Sequence, residues 1–335
     1  MKTCRSYIAW VCLAASFTIN CENELGLSKA TEEQIVVTVH TGISSFEIYS
    51  IGRESAGARK IASGYEIRLS PDGKSLLYTA VKDGQMDLFV ASIFGDAQPR
   101  KLTQNQFSDS DGQWSPDGAT IAFQSGPDGS MNHVWIISKD GSGQRRLTTD
   151  TTGFNHTPRW APDGARIAYR YSCLDDARIY TGQDELCIMQ LDGSEKTTLL
   201  TGKFELLAWG PGTGALSLQS DGRVSLVNAD LCTTRPLVQN EPDSAINEIA
   251  WSPDGVQVAF TRSADLFSIH SDGSGLQQLT HFTSGSASAV AWSGDGEEIA
   301  FAQQGALYVV RSDGSGLEHI AAPAGVREIC WVPAP

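Results

Sequence analysis

The chain has 335 residues, of which 41% are hydrophobic and 19% are charged, so it can bury a large core and is not a disordered protein. Its 25 Lys and Arg face 39 Asp and Glu, a formal net charge of −14. This balance excludes DNA and RNA as partners, because nucleic-acid binders concentrate positive charge on one face. It also gives the folded body no attraction to an anionic membrane surface.

The first twenty residues predict a secretory signal peptide. Lys2 and Arg5 precede an apolar run at 7–17, which is too short to span a bilayer. The small residues at 14–16 offer an ordinary cleavage site, whereas Cys21 offers lipoprotein processing with the lipid on that cysteine. We expect residues 1–20 to be removed and 21–34 to form a linker. The mature protein is then periplasmic, or anchored to the outer membrane through Cys21 alone.

One phrase recurs along the rest of the chain. A bulky apolar residue is followed by a Pro-Asp-Gly turn or a degraded form of it, in steps of 39 to 49 residues. The bulky residues are Leu69, Trp114, Trp160, Trp209, Trp251, Trp292 and Trp331. The turns after Trp114, Trp160, Trp251 and Trp292 are each followed by two β-rich runs, an Asp-Gly-Ser hairpin turn and a short run ending in Leu-Thr or a variant. A period near 44 residues with four short strands is typical of one blade of a β-propeller.

Counting these strands predicts an all-β, seven-bladed propeller of four-stranded blades over residues 35–335. Three strands, at 35–39, 46–51 and 59–62, precede every first strand, and one first strand near 326–331 has no successors. We expect the C-terminal strand at 326–332 to pair with the N-terminal strands in 35–62. This pairing closes the ring and leaves no exposed edge between the first and last units.

The repeated phrase resembles the repeat of the TolB-like, or PD40, β-propeller family. The shared pattern is Trp-[Ser/Ala]-Pro-Asp-Gly-x-x-[Ile/Val]-Ala-[Phe/Tyr] with a later Asp-Gly-Ser-Gly-x-x-x-Leu-Thr, in five good copies and two degraded ones. The resemblance implies a periplasmic interaction module. The chain departs from TolB itself, in which a large α/β domain precedes six blades. Here about fourteen residues separate the predicted signal from the first strand, and seven blades are expected.

Turn chemistry explains most of the repeated polar residues. Pro fixes φ, Asp bonds its own backbone two residues on, and Gly accepts positive φ. We therefore interpret nine aspartates on the face carrying these turns as turn-forming residues rather than as a ligand set; they are Asp72, Asp117, Asp163, Asp254, Asp295, Asp140, Asp192, Asp272 and Asp313. The bulky Trp or Leu is expected to pack one blade on the next.

The opposite face carries the variable loops, and binding residues concentrate in loops held by a rigid scaffold. We expect a docking surface around a central funnel, formed by Tyr65, Glu66, Asp109, Asp111, Asn155, His156, Glu205, Asn247, Glu248, His281, Arg327 and Glu328. The alternative is that these residues are simply solvated. The longest loop on this face is predicted at 170–185.

Three cysteines outside the leader allow specific predictions. Cys173 and Cys187 flank the loop at 170–185, so they are disulfide candidates in an oxidising compartment. Cys330 occupies a position where Ala208, Ala250 and Ala291 stand in other repeats, so we interpret it as a buried small residue rather than a reactive thiol.

The chain contains none of the common catalytic signatures, neither HExxH, GxSxG, a P-loop nor GxGxxG after a strand. The favoured hypothesis is a monomeric, non-enzymatic scaffold that binds an envelope protein or peptide at its loop face, with no metal or cofactor. The alternative is a carbohydrate-active, lyase-like propeller enzyme with a channel metal. That alternative needs several channel histidines, and only His156 and His281 fall on the predicted funnel. A purely structural spacer is a third hypothesis.

Overall fold

Within the described residues, every element of regular structure is a β-strand. The structure, a computed structural model, describes residues 33–333 except 43–44, 54–56, 127–130, 176, 178, 221–222 and 239–245. The predicted signal peptide and the lipidation candidate Cys21 lie outside the described residues. Among those that are described, there is no helix with the length and apolar character needed to cross a membrane.

The strands form seven four-stranded antiparallel sheets, one per blade. Blade 1 contains β1 (Gln34–Gly42), β2 (Ser45–Gly52), β3 (Ala58–Ser63) and, from the other end of the chain, β28 (Val326–Val332). Blade 2 contains β4 (Tyr65–Leu69), β5 (Ser75–Lys82), β6 (Gln85–Ser92) and β7 (Arg100–Lys101). Blade 3 contains β8 (Ser108–Trp114), β9 (Thr120–Gly126), β10 (His133–Ser138) and β11 (Arg145–Arg146). Blade 4 contains β12 (Gly153–Trp160), β13 (Arg166–Leu174), β14 (Tyr180–Gln190) and β15 (Thr197–Gly202).

The remaining blades repeat this order. Blade 5 contains β16 (Glu205–Trp209), β17 (Ala215–Ser220), β18 (Arg223–Asn228) and β19 (Thr233–Pro236). Blade 6 contains β20 (Ile246–Trp251), β21 (Gln257–Arg262), β22 (Asp265–His270) and β23 (Gln277–Gln278). Blade 7 contains β24 (Ala287–Trp292), β25 (Glu298–Gln303), β26 (Ala306–Arg311) and β27 (Glu318–Ile320). The all-β fold and the seven blades predicted from the repeat are thus confirmed.

Ring closure takes place as predicted, in blade 1. Strand β28 pairs antiparallel with β1, with Gln34 opposite Val332 and Ile35 opposite Trp331. A charged contact reinforces the closure, because Arg53 at the end of β2 bonds Glu298 and lies 3.2 Å from Glu318, both in blade 7. The Arg53 guanidinium also lies 5.8 Å from the centre of the Trp331 ring. The closing sheet is therefore joined to its neighbour by both strand pairing and side chains.

The hydrophobic core lies between blades. Seven apolar clusters are found among the described residues, one at each interface between neighbouring blades. Each tryptophan after Leu69 in the repeat extends its indole toward the preceding blade: Trp114 Nε1 donates to the Arg68 carbonyl at 3.3 Å, and Trp292 Nε1 to the Ala250 carbonyl at 3.0 Å. The prediction that this residue packs one blade on the next is confirmed.

Outer strands add a second set of ties between blades. Arg100 of β7 donates to the backbone carbonyls of Lys139 and Asp140 in the hairpin turn of blade 3, at 2.6 and 3.1 Å. Arg145 does the same to the Leu191 carbonyl in blade 4 at 2.9 Å. Gln277 reaches the Asp313 carbonyl in blade 7 at 2.9 Å. In these blades, a guanidinium or amide group on the outermost strand therefore donates hydrogen bonds to backbone carbonyls in the hairpin turn of the following blade.

The nine repeated aspartates form turns, as predicted. In the Pro-Asp-Gly turn of blade 2, Asp72 Oδ1 accepts from the Ser70 hydroxyl at 2.6 Å and from the Lys74 amide at 3.1 Å. These bonds hold the pKa of Asp72 below its usual value. Each of the other eight carboxylates accepts the amide N–H two residues on in the same way. Their lone pairs serve the backbone, which leaves no reason to assign them a ligand.

Candidate functional site

The first strand of each blade lines a central channel. This innermost layer encloses a cavity of about 540 Å³. All seven blades contribute to it through β4, β8, β12, β16, β20, β24 and β28, and the charged residues among the lining are Arg68, Arg159, Glu248, Arg327 and Glu328. The channel is therefore a polar, concave space on the axis of the ring, and ligand sites occur in concave positions of this kind.

Every innermost strand carries a β-bulge. The register with the neighbouring strand slips between 65 and 68, 110 and 113, 156 and 159, 206 and 208, 246 and 248, 288 and 290, and at 327 in β28. At four of these sites a residue other than glycine has positive φ, namely Glu66, Asp111, Thr157 and Ala289. A bulge changes the direction of nearby side chains and increases the twist of the strand. The bulges therefore determine which of the predicted funnel residues face the channel.

Most predicted funnel residues lie in these strands rather than in loops, which corrects the expected location. Only Gly64 separates β3 from β4, so Tyr65 and Glu66 belong to β4. The same holds for the predicted residues of β8, β12, β16, β20 and β28, whereas His281 lies exposed between β23 and β24. The first strands of these blades therefore begin earlier in the sequence than predicted.

Three predicted residues, Glu248, Arg327 and Glu328, line the channel, and we call these three, together with the neighbouring Glu205 and Asn247, the loop-face mouth. Glu205, Asn247, Glu248 and Arg327 are exposed, and Glu328 is half-buried with its carboxylate accepting the Thr38 hydroxyl at 2.7 Å. The pKa of Glu248 is raised, first by the desolvating channel walls and then by the negative charges of Glu328 and Glu205, against the opposing effect of Arg68. These carboxylates therefore share one electrostatic environment although they come from three blades.

A second group of charges lies in the wall behind this mouth. Arg159 Nη1 lies 3.0 and 3.2 Å from the two carboxylate oxygens of Asp111. Glu66 accepts the Thr79 hydroxyl at 2.6 Å and the Asp111 amide at 2.8 Å. Burial, and then the charge of Asp111, raise the pKa of Glu66. Glu66 and Asp111 are thus engaged in holding the innermost strands of blades 2, 3 and 4.

The other predicted residues serve the interior of blades 3 and 4 or their edges. Asp109 and Asn155 are fully buried, and the Asp109 carboxylate accepts from the Asn105 amide at 2.9 and 3.1 Å. His156 Nε2 lies 3.1 Å from the Ser172 hydroxyl, which donates to Asp184 at 2.6 Å. Burial, and then Arg170, lower the pKa of His156 to about 4. These side chains are not at the channel mouth.

Sequence reasoning missed three lining residues. Arg68, Gln113 and Arg159 each stand directly before the bulky residue of the repeat and line the channel. The equivalent residues of the other strands are Ala208, Ala250, Ala291 and Cys330. The available signal was the contrast at this one position, where three consecutive repeats carry long polar side chains and four carry small ones.

The cysteine predictions had different outcomes. Cys173 and Cys187 are free thiols, so the predicted disulfide is wrong. β13 extends to Leu174 and β14 begins at Tyr180, so most of the predicted loop at 170–185 belongs to these two strands. Cys187 stands opposite Tyr169, four positions along β13 from Cys173. Four strand residues span about 13 Å, beyond the reach of a disulfide. Cys330 is half-buried in the channel wall rather than buried, and burial raises its pKa to about 12, which makes it a poor nucleophile.

Across the described ranges, no group of three or more His, Cys, Asp and Glu side chains has an arrangement suited to a metal ion. His156 faces Ser172 and is stacked 5.7 Å from Phe154. The residues at the mouth are carboxylates, an amide and a guanidinium. This set is suited to hydrogen bonding and ion pairing with a polar partner.

Fold and channel together define a seven-bladed β-propeller with a charged axial channel. Residues 60–205 match the family model described as the TolB beta propeller domain, PD40. This matched stretch, which is less than half of the chain, is similar to the TolB-like, PD40 propeller repeats. The Tol-Pal system protein TolB of Anaeromyxobacter dehalogenans strain 2CP-C is 31% identical over 121 residues, which is 34% of this chain and 27% of that protein. The chain therefore spans about a quarter of the length of the curated relatives it matches.

Solved structures share the fold at low identity. A TolB structure from Acinetobacter baumannii superposes with a TM-score of 0.55 and 16% identity, over 89% of this chain and 82% of that one. An oligogalacturonate lyase in complex with manganese superposes with a TM-score of 0.63 and 17% identity, over 87% of this chain and 86% of the lyase. Since TolB and a lyase are both found at this level of identity, these similarities establish the propeller architecture alone.

Proposed function

We propose that this propeller is an exported, non-enzymatic scaffold of the cell envelope that binds a protein or peptide at the loop-face mouth of its channel. The observation that carries the proposal is the exposed set at the mouth. Glu205, Glu248 and Arg327 take part in no ion pair within 4 Å among the described residues. Open charges of both signs around a rigid opening are suited to orienting a partner.

The TolB-like repeat supports this function, since the curated relatives are named as components of the Tol-Pal system. The monomeric state, the periplasmic location and the anchor on Cys21 belong to the same proposal. The lyase-like alternative has the fold in its favour, but the described channel residues include no set suited to a metal.

The proposal is tested by cross-linked co-purification of the tagged mature chain from its own envelope fraction. The test variant carries Glu248→Lys and Arg327→Glu. The matched control carries Asp96→Lys and Lys139→Glu, which reverse two exposed charges on the opposite, turn-bearing face. Asp111 and His156 are left intact because both are bonded inside the blades. Thermal unfolding checks that all three proteins are equally folded.

We expect one partner to be captured by the wild type and the control and to be lost with the mouth variant. Equal capture by all three proteins would contradict a site at the mouth. Incubation of the wild type with oligogalacturonate and manganese tests the alternative, and formation of unsaturated product would replace the scaffold proposal by a lyase activity.

A further inference from the structure

Three neighbouring blades place hydrogen-bond donors at one level of the channel. Arg68 of β4, Gln113 of β8 and Arg159 of β12 occupy the same position of the repeat and line the same cavity. Their backbones are fixed side by side, because the indoles of Trp114, Trp160 and Trp209 donate to their carbonyl oxygens at 3.3, 3.2 and 3.1 Å, respectively. We call these three residues the donor arc.

Two members of this arc, Arg68 and Gln113, have donors that are incompletely used. The Arg68 guanidinium donates to the carbonyl of the adjacent Ile67 at 2.8 Å and has no carboxylate within 4 Å in the described part of the chain. Gln113 Nε2 is buried and has no acceptor among the described atoms. A buried donor without a partner is energetically unfavourable, and an acceptor at this position removes that cost. Guanidinium and amide nitrogen groups only donate hydrogen bonds, so a ligand that satisfies the unused N–H groups of the arc must supply acceptor atoms.

Burial lowers the pKa of Arg68, but the negative charges of Asp111, Glu328 and Glu66 outweigh burial and raise that pKa, although no carboxylate lies within 4 Å of the guanidinium among the described residues. Asp111 faces Arg159, and Glu66 is taken by Thr79 and the Asp111 amide. Burial lowers the pKa of Arg159, and the positive charge of Arg68 adds to the effect while Asp111 opposes it. The two guanidinium groups therefore lie close enough to influence each other, with a carboxylate on one of them only.

Room for an acceptor lies in the same cavity. Small side chains from other blades, Ala208, Ala289 and Cys330, also line it. The cavity of about 540 Å³ is larger than the roughly 30 Å³ that one water molecule occupies in the liquid. An oxygen-rich group can therefore approach the arc without displacing protein side chains.

We infer that the donor arc binds a carboxylate of the peptide that docks at the channel mouth, with Arg68 as the principal donor and Gln113 beside it. This inference rests on the proposed function and names the chemistry of the partner. A carboxylate presents two acceptor oxygens that match the planar fork of a guanidinium. The group is either the C-terminal carboxylate of the peptide or an Asp or Glu side chain, and both offer the same oxygens.

The test follows side-chain N–H signals of the ¹⁵N-labelled mature chain during titration with three N-acetylated Ala/Gly tetrapeptides. The first ends in a free carboxylate, the second in an amide, and the third ends in an amide but carries one Glu. We expect saturable shifts of the Gln113 amide with the first or the third peptide and none with the second. Which of the two acts identifies the source of the carboxylate.

Two variants make the result specific. Arg68→Gln is expected to weaken binding by about tenfold or more, because a charge-assisted bond is lost, whereas Arg68→Lys retains part of it. Arg145→Gln changes an arginine on an outer strand and serves as the matched control with unaltered binding. A normal thermal transition shows that each variant is folded. Gln113→Leu removes the Gln113 amide, so its binding is followed through the arginine side-chain N–H signals; we expect weaker binding, and unchanged binding would contradict a role for Gln113 in the arc.

Absence of saturable shifts with every peptide overturns the inference, as does equal weakening by Arg68→Gln and Arg145→Gln. Partner capture in the co-purification experiment is read separately. Capture that depends on Glu248 and Arg327 but is unchanged by Arg68→Gln overturns the carboxylate inference while leaving the proposed scaffold function in place.

Discussion

Trp251 binds the preceding blade through the hydroxyl of Ser217, whereas the other indoles described above reach a backbone carbonyl. Trp251 Nε1 lies 3.3 Å from Ser217 Oγ, and that hydroxyl donates to the Ala208 carbonyl at 2.9 Å. The Ser217 hydroxyl thus lies between the indole N–H and the backbone carbonyl and bonds to both. The extension occurs where the Pro-Asp-Gly phrase is degraded, at the junction of blades 5 and 6.

Replacing this serine should therefore destabilise the ring. Ser217 is fully buried, and Ser217→Ala leaves the Trp251 indole and the Ala208 carbonyl without their partner. We expect the free energy of unfolding to fall by about 1–3 kcal/mol, the cost of buried polar groups that lose a hydrogen bond. Urea unfolding followed by tryptophan fluorescence measures the loss. Ser268→Ala, at a buried serine of β22 outside this relay, is the control, and an equal loss there would contradict the explanation.

Arg53 offers a test of ring closure. Its guanidinium contacts Glu298 and Glu318 of blade 7 and the Trp331 ring. Because the group is partly exposed, we expect Arg53→Ala to reduce the free energy of unfolding by about 1–2 kcal/mol, as the sum of a small ion-pair network and a cation–π contact. Part of that loss should disappear in high salt, which screens the ion pairs. A loss independent of salt would show that closure depends on β-strand pairing and packing instead.

His156 should make stability depend on pH. Its folded pKa of about 4 lies below the value of about 6.5 for an unfolded histidine, so between these values the unfolded chain binds a proton that the folded chain does not. Stability from this residue is present at neutral pH and is lost as pH falls through this window. When the pH is lowered from 7 to 5, we expect the free energy of unfolding to fall by about 2 kcal/mol less for His156→Gln than for the wild type. His270→Gln, at the exposed end of β22, is the matched control, and identical pH profiles for wild type and His156→Gln would refute the effect.

The ion pair in the channel wall is a fourth test. Side-chain exposure is only 10% for Asp111 and 13% for Arg159, so Asp111→Asn leaves a guanidinium partly desolvated opposite a neutral amide. We expect a loss of about 1–3 kcal/mol in the free energy of unfolding, less than for a fully buried pair because the channel admits water. Asp230→Asn, which removes the exposed partner of Arg166, should cost less than about 1 kcal/mol. Similar losses at the two sites would mean that the channel pair contributes no more than a surface pair.

The repeat was sufficient to predict the fold because its signals are local and redundant. Each Pro-Asp-Gly turn is built by bonds within six residues, such as those joining Ser70, Asp72 and Ser75. Ring closure followed from an imbalance of strands between the two ends. The disulfide prediction was wrong because it depended on strand pairing, which the local composition does not show. Polar residues at 170–185 suggested a loop, but β13 and β14 continue through this region because their backbone groups pair across the hairpin.

The site was predicted less well because a single sequence does not show the bulges. Glu66 and Asp111 looked like mouth residues, yet positive φ at each of them accompanies a slip of the strand, and both side chains are bonded in the wall. Glu248 and Arg327 do reach the mouth. Arg68 was not predicted because it precedes Leu69, a position at which the repeat indicates packing between blades and not a binding site.

The pairing of β1 with β28 also sets an order of events for the newly made chain. The bond from Thr38 to Glu328 joins residues 290 positions apart, so the first-made sheet waits for the last-made strand. Closing so long a loop is entropically costly and slow compared with forming the local hairpins of any one blade. Until β28 arrives, β1 presents an unpaired edge that can accept a strand from another molecule. Assembly of the ring is therefore the stage at which this protein is most exposed to aggregation and to the chaperones that prevent it.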